Sequence, residues 1–378
     1  MGGAALPVTT GNLRCNCNMM SEDETRVENA TPRSHPPDRP TLKTIARLAG
    51  LGVTTVSRAL HDAPDIGEDT KARVRLLADS LGYQPNRAGV RLRTGRSHVI
   101  ALVLATEAEE LGINSQLIYG ISEVLSATTY QLVVMMHDPA SDPLGPIRNI
   151  VEAGAADGIL FARIEPDDAR VRFLIERGVP FVTHGRTDMG IEHPYFDFDN
   201  DAYAESAVRR LASLGRRRLA LLAPPLHLTY ARHMTAGFRR GIAALGLERI
   251  LVDTIDTDSP HEHIQAEVSH LIKSGERPDG FVCGSAMAAL AVTAGAEAAG
   301  LVLGRDFDVV VKESSNLFRK FRPAIETAHE DFRAAGRWLA EAIVGRIEGT
   351  ADVGAHFLDV PRLTVPERMK ERVVASTI

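Results

Sequence analysis

The sequence predicts an α/β protein: a small three-helix module followed by two Rossmann-like lobes. Three observations predict it. The chain has 378 residues, more than one ordinary core accommodates. Its charge is uneven, because Arg39 to Arg96 carries eleven Lys or Arg against five Asp or Glu, +6, which leaves −12 of the net −6 to the remainder. From His98 onward, near-continuous apolar runs alternate with amphipathic helical stretches, the signature of buried parallel sheets.

Residues 1–38 are rich in Pro, Ser, Thr, Asn and Gly without apolar period and read as a disordered tail. Met19 and Met20 are alternative starts of translation. Cys15 and Cys17 read as unpaired thiols, since no second ligand pair with zinc spacing follows. No metal or cofactor is expected. The tail has no basic start or apolar segment of the secretory kind, and no run approaches the roughly 18 apolar residues of a membrane span. The expected location is the cytoplasm.

Residues 39–84 contain three short helical patterns. Thr41 is an N-cap, Leu42, Ile45, Ala46 and Ala49 recur at helical spacing, and Gly50 stops the first helix. Val53, Val56 and Leu60 begin a second helix three residues later, which makes a helix-turn-helix. Val74, Leu77, Ala78 and Leu81 mark the third, with Gly82 as its stop. Residues 85–97 follow as "PNRAGVRLRTGRS". Asn86 to Leu92 is about two turns, below the roughly 12 to 15 residues that an isolated helix needs in water, so it should fold only with a partner.

In the body, "HVIALVLA", "YQLVVMMH", "DGILFAR", "VPFVTHG", "RLALLAP", "DGFVCGS" and "DFDVVV" read as strands, with a helix expected at 115–127. Ligands of open parallel sheets bind beyond the carboxyl ends of strands. That rule selects Asn114, Ser115, His184, Arg186, Asp199, Ser285 and Glu313, with Phe332 as an aromatic wall and Arg232 nearby. Arginine and carboxylates suit paired hydroxyls, so a small sugar is expected. Trp338 is assigned to the core and Cys283 to inert packing. No phosphate loop, nucleophile elbow or HExxH occurs, and the chain is read as no enzyme.

The segments "TLKTIARLAG", "VTTVSRAL", "RVRLLADSLGYQPNR" and "LRTGRS", followed by "VPFVTHGR", "FDFDN", "LASLGRRRLALL" and "HEDFRAAGRWL", resemble the lactose-repressor (LacI/GalR) family of bacterial transcription regulators over residues 40–370. The resemblance implies lobes of periplasmic-binding-protein type, lobe N at 98–196 and 328–360 and lobe C at 197–327 and 361–378. It implies a homodimer on a pseudo-palindromic operator, controlled by a ligand between the lobes. On the second helix, which Gly52 opens, Val53 and Thr54 would lie against bases with Ser57 and Arg58 close behind; Arg58 would contact a base or a phosphate, and His61 a base or merely the helix end. Thr41, Thr70 and Asn86 would hold phosphates. Gly89 and Leu92 would belong to a hinge helix, Leu92 as minor-groove wedge, with Arg87 and Arg93 at phosphates.

This chain departs from the family pattern at Gly52 and Gly67, where serines usually open helices. It departs again at Met234 in place of an arginine and at Gly284-Ser285 in place of Asn-Asp. The effector is expected to be an oligosaccharide such as an α- or β-glucoside, with a nucleoside or sugar phosphate as the alternative. A solute-binding protein without DNA function is the rival class.

Overall fold

The computed structural model describes residues 40–83, 95–106, 112–138, 141–350 and 354–364. It divides into two units, Met1–Asn86 and Arg87–Ile378.

The first unit holds helices α1 (Leu42–Ala49), α2 (Val53–Leu60) and α3 (Glu68–Ser80). Thr41 and Thr44 close a reciprocal cap at the start of α1, each hydroxyl accepting the other's amide. Gly50 then turns the chain at φ 65°, a left-handed conformation that favours glycine. Ile45, Val56, Ala59 and Val74 are fully buried where the three helices meet. Neither Gly52 nor Gly67 supplies a side-chain cap, yet α2 and α3 form, because packing supplies what the missing hydroxyls do not.

The second unit contains two six-stranded sheets. The first is built from β1 (Val99–Ala105), β2 (Gln131–His137), β3 (Gly158–Ala162), β4 (Phe181–His184), β5 (Tyr195–Phe198) and β11 (His356–Asp359), in the order β11-β5-β4-β3-β1-β2, all parallel. Helices α4 (Ile113–Leu125) and α12 (Phe332–Glu348) cover one face; α5 (Leu144–Ala153) and α6 (Ala169–Glu176) cover the other. The second sheet is built from β6 (Arg218–Leu222), β7 (Glu248–Ile250), β8 (Gly280–Cys283), β9 (Asp308–Glu313), β10 (Glu326–His329) and β12 (Leu363–Thr364), in the order β12-β10-β9-β8-β6-β7, with only β12 antiparallel. Helices α7 (Asn200–Ser213) and α8 (Thr229–Leu245) pack on one face; α9 (His261–Lys273), α10 (Ala286–Ala298) and α11 (Leu317–Phe321) lie toward the other.

The chain passes between lobes three times: the first passage falls within the expected Phe196 to Asn200, and the second lies beyond the expected Ile325 to Ala328. Phe198 still pairs with Asp359 in the first sheet, and His329 still pairs with Glu313 in the second. The passages therefore fall at Asp199, at Glu330 and Asp331, and between Asp359 and Leu363. The second unit is anchored at Ser97 and His98. Ser97 donates its amide and hydroxyl to Asp157 Oδ1 at 2.7 and 2.9 Å, and the His98 amide donates to Oδ2 at 2.8 Å.

Two crossing helices, α4 and α12, touch through paired glycines: a Cβ on Gly336 would meet the Leu117 carbonyl, and one on Gly120 the Arg333 carbonyl. Backbone cannot yield as a side-chain end does. Gly336→Ala is expected to cost about 1–3 kcal/mol, measured by urea unfolding; an unchanged midpoint would contradict the contact.

Candidate functional site

The small unit presents one polar face with an odd composition. On α2, Val56 and Ala59 point inward, while Gly52, Val53, Thr54 and Arg58 are exposed and Ser57 is partly so. Val53 stands 41% exposed, an apolar side chain with no core to fill. Arg58 pairs with Asp65 at 2.5 Å, both about half exposed, a contact that water screens and an anion could displace. His61 ends α2, its Nδ1 2.6 Å from the Ser57 carbonyl. Thr41 is already engaged as a cap, and Thr70 sits partly exposed in the first turn of α3. Asn86, Arg87, Gly89, Leu92 and Arg93 lie outside the described residues.

In the body, the carboxyl ends of both sheets carry a connected set of polar side chains where the chain changes lobes. Lys312, near the end of β9, donates from Nζ to Asn200 Oδ1 at 3.1 Å and pairs with Glu330 at 2.8 Å. Its ammonium also lies 5.3 and 5.4 Å from the Phe198 and Tyr230 rings. Asn200 follows the first passage and Glu330 lies in the second, so one cation ties both. Glu330 also stands 3.8 Å from His184 Nε2. His184 stacks on Phe332 at 5.0 Å and on Phe196 at 5.8 Å. Burial pushes its pKa down, with Glu330 opposing, and its Nε2 has no hydrogen-bond partner. Burial thus favours the neutral imidazole, and one ring nitrogen is unused.

Arg186 approaches Asp197 at 3.3 Å. Burial pushes Asp197 up to about 7, against the pull of Arg186, with Glu330 adding repulsion.

Three further contacts bridge the lobes. Arg163 donates to Asp258 at 2.6 Å, the amide and hydroxyl of Thr229 both donate to the Ile164 carbonyl, and His233 lies 3.3 Å from Asp188. Arg163 follows β3 at a φ of 56°, which non-glycine residues rarely adopt.

Of the residues selected from sequence, His184, Arg186 and Phe332 join this set, and Asn114 and Ser115 sit in the first turn of α4 after β1. Asp199 and Ser285 instead cap α7 and α10, accepting from Ala202 and Ala288 amides. Arg232 is exposed on α8, with Met234 fully buried. Glu313 requires correction. Side chains alternate along a strand, so Lys312 shares the α7/α8 face with Val310, and Glu313 is turned to the opposite face, near Thr327, Ser315 and the Phe318 amide. Burial raises its pKa there. Sequence reasoning passed over Lys312, Glu330, Asp197 and Arg163.

Two outcomes follow. Glu330 is 3% exposed, so Lys312→Met strands a buried carboxylate and should cost about 3 kcal/mol or more. Adding Glu330→Gln should recover part of that loss in a double-mutant unfolding cycle. For Asp197, the fold favours the neutral form. The stability it contributes is complete below the ordinary 3.8 and disappears as pH rises through about 7. Asp197→Asn should therefore gain thermal stability relative to wild type across that window; a constant difference would contradict the assignment.

Residues 41–86 match the profile of bacterial regulatory proteins of the lacI family, and residues 208–368 match a periplasmic binding protein-like domain. The HTH-type transcriptional regulator AglR of Rhizobium meliloti is 32% identical over 324 residues, 82% of this chain and 89% of AglR. CelR of Thermobifida fusca is 28% identical over 319 residues, 82% of this chain and 93% of CelR. Among solved structures, a CelR–cellobiose complex has a TM-score of 0.63 at 26% identity, covering 87% of this chain and 99% of that one. The lac repressor dimer bound to operator and an anti-inducer has a TM-score of 0.73 at 22% identity, covering 86% and 97%, and shows the shared fold. A DNA-reading helix pair on a two-lobed body, matched in both parts and along most of its length, places this chain in the lacI family of bacterial transcription regulators.

Proposed function

We propose that the chain is a cytoplasmic, homodimeric repressor whose hold on a pseudo-palindromic operator is set by a sugar bound between its lobes. The observation that carries the ligand class is the set at the strand ends: a stacked Phe332–His184 pair beside Arg186, Asp197, Lys312 and Glu330. A pyranose offers an apolar face to such rings and paired hydroxyls to such ions. The cellobiose held by the CelR complex supports the same class. For DNA, exposed Val53 suits a thymine methyl and Arg58 a guanine edge, once Asp65 releases it. Leu92 is proposed as the minor-groove wedge and Arg87 and Arg93 as phosphate contacts, as the family resemblance implies. Edge strand β2 leaves Val133, Val134 and Met136 exposed, an apolar strip that a second copy would cover.

Thermal-shift screening against glucosides, nucleosides and sugar phosphates tests the ligand class; stabilisation by a glucoside that is lost in Arg186→Ala is expected, and a response to nucleosides alone would reject it. Arg58→Ala should weaken specific duplex binding by about 1–3 kcal/mol and relax preference at one base pair. Leu92→Ala should keep the fold and the ligand response while lowering duplex affinity. Retardation that ignores both substitutions would contradict the assigned contacts.

A further inference from the structure

A second cavity, of about 390 Å3, opens between α12 and edge strand β11. Strand register builds its aromatic wall: Phe357 is paired with Phe196, their rings 5.1 Å apart with planes 16° from parallel, and Trp338 approaches Phe196 at 6.2 Å. Phe357 is 45% exposed, an unusual state for a phenylalanine beside a core. Three carboxylates, Asp331, Glu341 and Asp359, stand around these rings with one cation, Arg337, which already binds Glu123 at 3.2 Å.

Asp331 uses one oxygen to accept from the Ala334 amide. The carboxylates of Glu341 and Asp359 have no hydrogen-bond or ion-pair partner among the described residues. Burial raises the pKa of Asp359, and repulsion from Glu330 and Asp331 adds to it, relieved only in part by Arg362 and His329. The local negative charge is thus only partly compensated beside open ring faces. An anion would be repelled here, and a neutral sugar would use the rings but leave the charge. A cation with an apolar body uses both.

We infer that this groove binds a small organic cation, an amine or quaternary ammonium, at a site separate from the interlobe cleft. Asp331 lies in the second passage between lobes and Asp359 ends β11 before the third, so an occupant would touch two of the three segments on which the lobes move.

Trp338 is the only tryptophan in the chain, and its emission therefore reports on this groove directly. The full chain is titrated with phenethylamine and choline, and with 3,3-dimethylbutan-1-ol, the uncharged counterpart of choline, as a neutral probe. The expected result is a saturable change in emission with the amines and none with the alcohol at the same concentrations. The amine affinity should fall about tenfold or more, on the order of 1.4 kcal/mol, in Asp359→Asn/Glu341→Gln. It should hold in Glu262→Gln, an exposed carboxylate on α9 in the other lobe. No saturable amine response in the wild type overturns the inference. So does an equal affinity in the double variant whose circular dichroism is native, or an equal response to the neutral alcohol.

Discussion

The lobes depend on one partly buried cation. Lys312 is placed by β9 within reach of Asn200, which opens the helix after the first passage, and of Glu330, which lies in the second. A carboxylate, an amide oxygen and two ring faces surround this partly buried ammonium and replace much of its water. The arrangement fixes where two connecting strands leave one sheet and enter the other. The residues proposed for a cleft ligand, from His184 through Glu330 to Asp197, lie within one or two contacts of that ammonium. A ligand moves the lobes only by binding their two arrangements with different affinity, and this connected set is where such a difference would arise.

The bridging contacts at the cleft mouth are of another kind. Arg163–Asp258 and His233–Asp188 are partly exposed pairs, modest in strength and open to exchange with water. They suit surfaces that part and rejoin. At the other end of the first lobe, Asp157 holds Ser97 and His98 by three hydrogen bonds, so the body begins at a fixed point just after the arginine-rich segment.

Much of this was legible in the sequence, and the failures are instructive. Apolar runs of four to seven residues alternating with helices identified two parallel sheets, and the helix-turn-helix followed from glycine spacing and a threonine cap. Strand parity was not legible. Where "DVVVKESS" ceases to be buried is uncertain by one residue, and a one-residue shift exchanges the two faces of a strand, so Glu313 was chosen where Lys312 stands. Asp199 and Ser285 carry the residue types of ligand groups and of helix caps alike, and only the helix starting behind each decides between them. Glu330 was two residues from Phe332 in "HEDF", yet no local pattern distinguishes a buried glutamate from a solvated one. Arg163 could not be found at all, because a left-handed arginine leaves no trace in a linear sequence.

The most direct measurement is selection of duplexes from a randomised pool by the full chain, repeated with a saturating glucoside. The expected outcome is a two-fold-symmetric consensus of two half-sites whose retention shifts when the sugar is added. Recovery of duplexes without any shared sequence, or a consensus whose retention no sugar changes, would contradict control of DNA reading by the interlobe cleft.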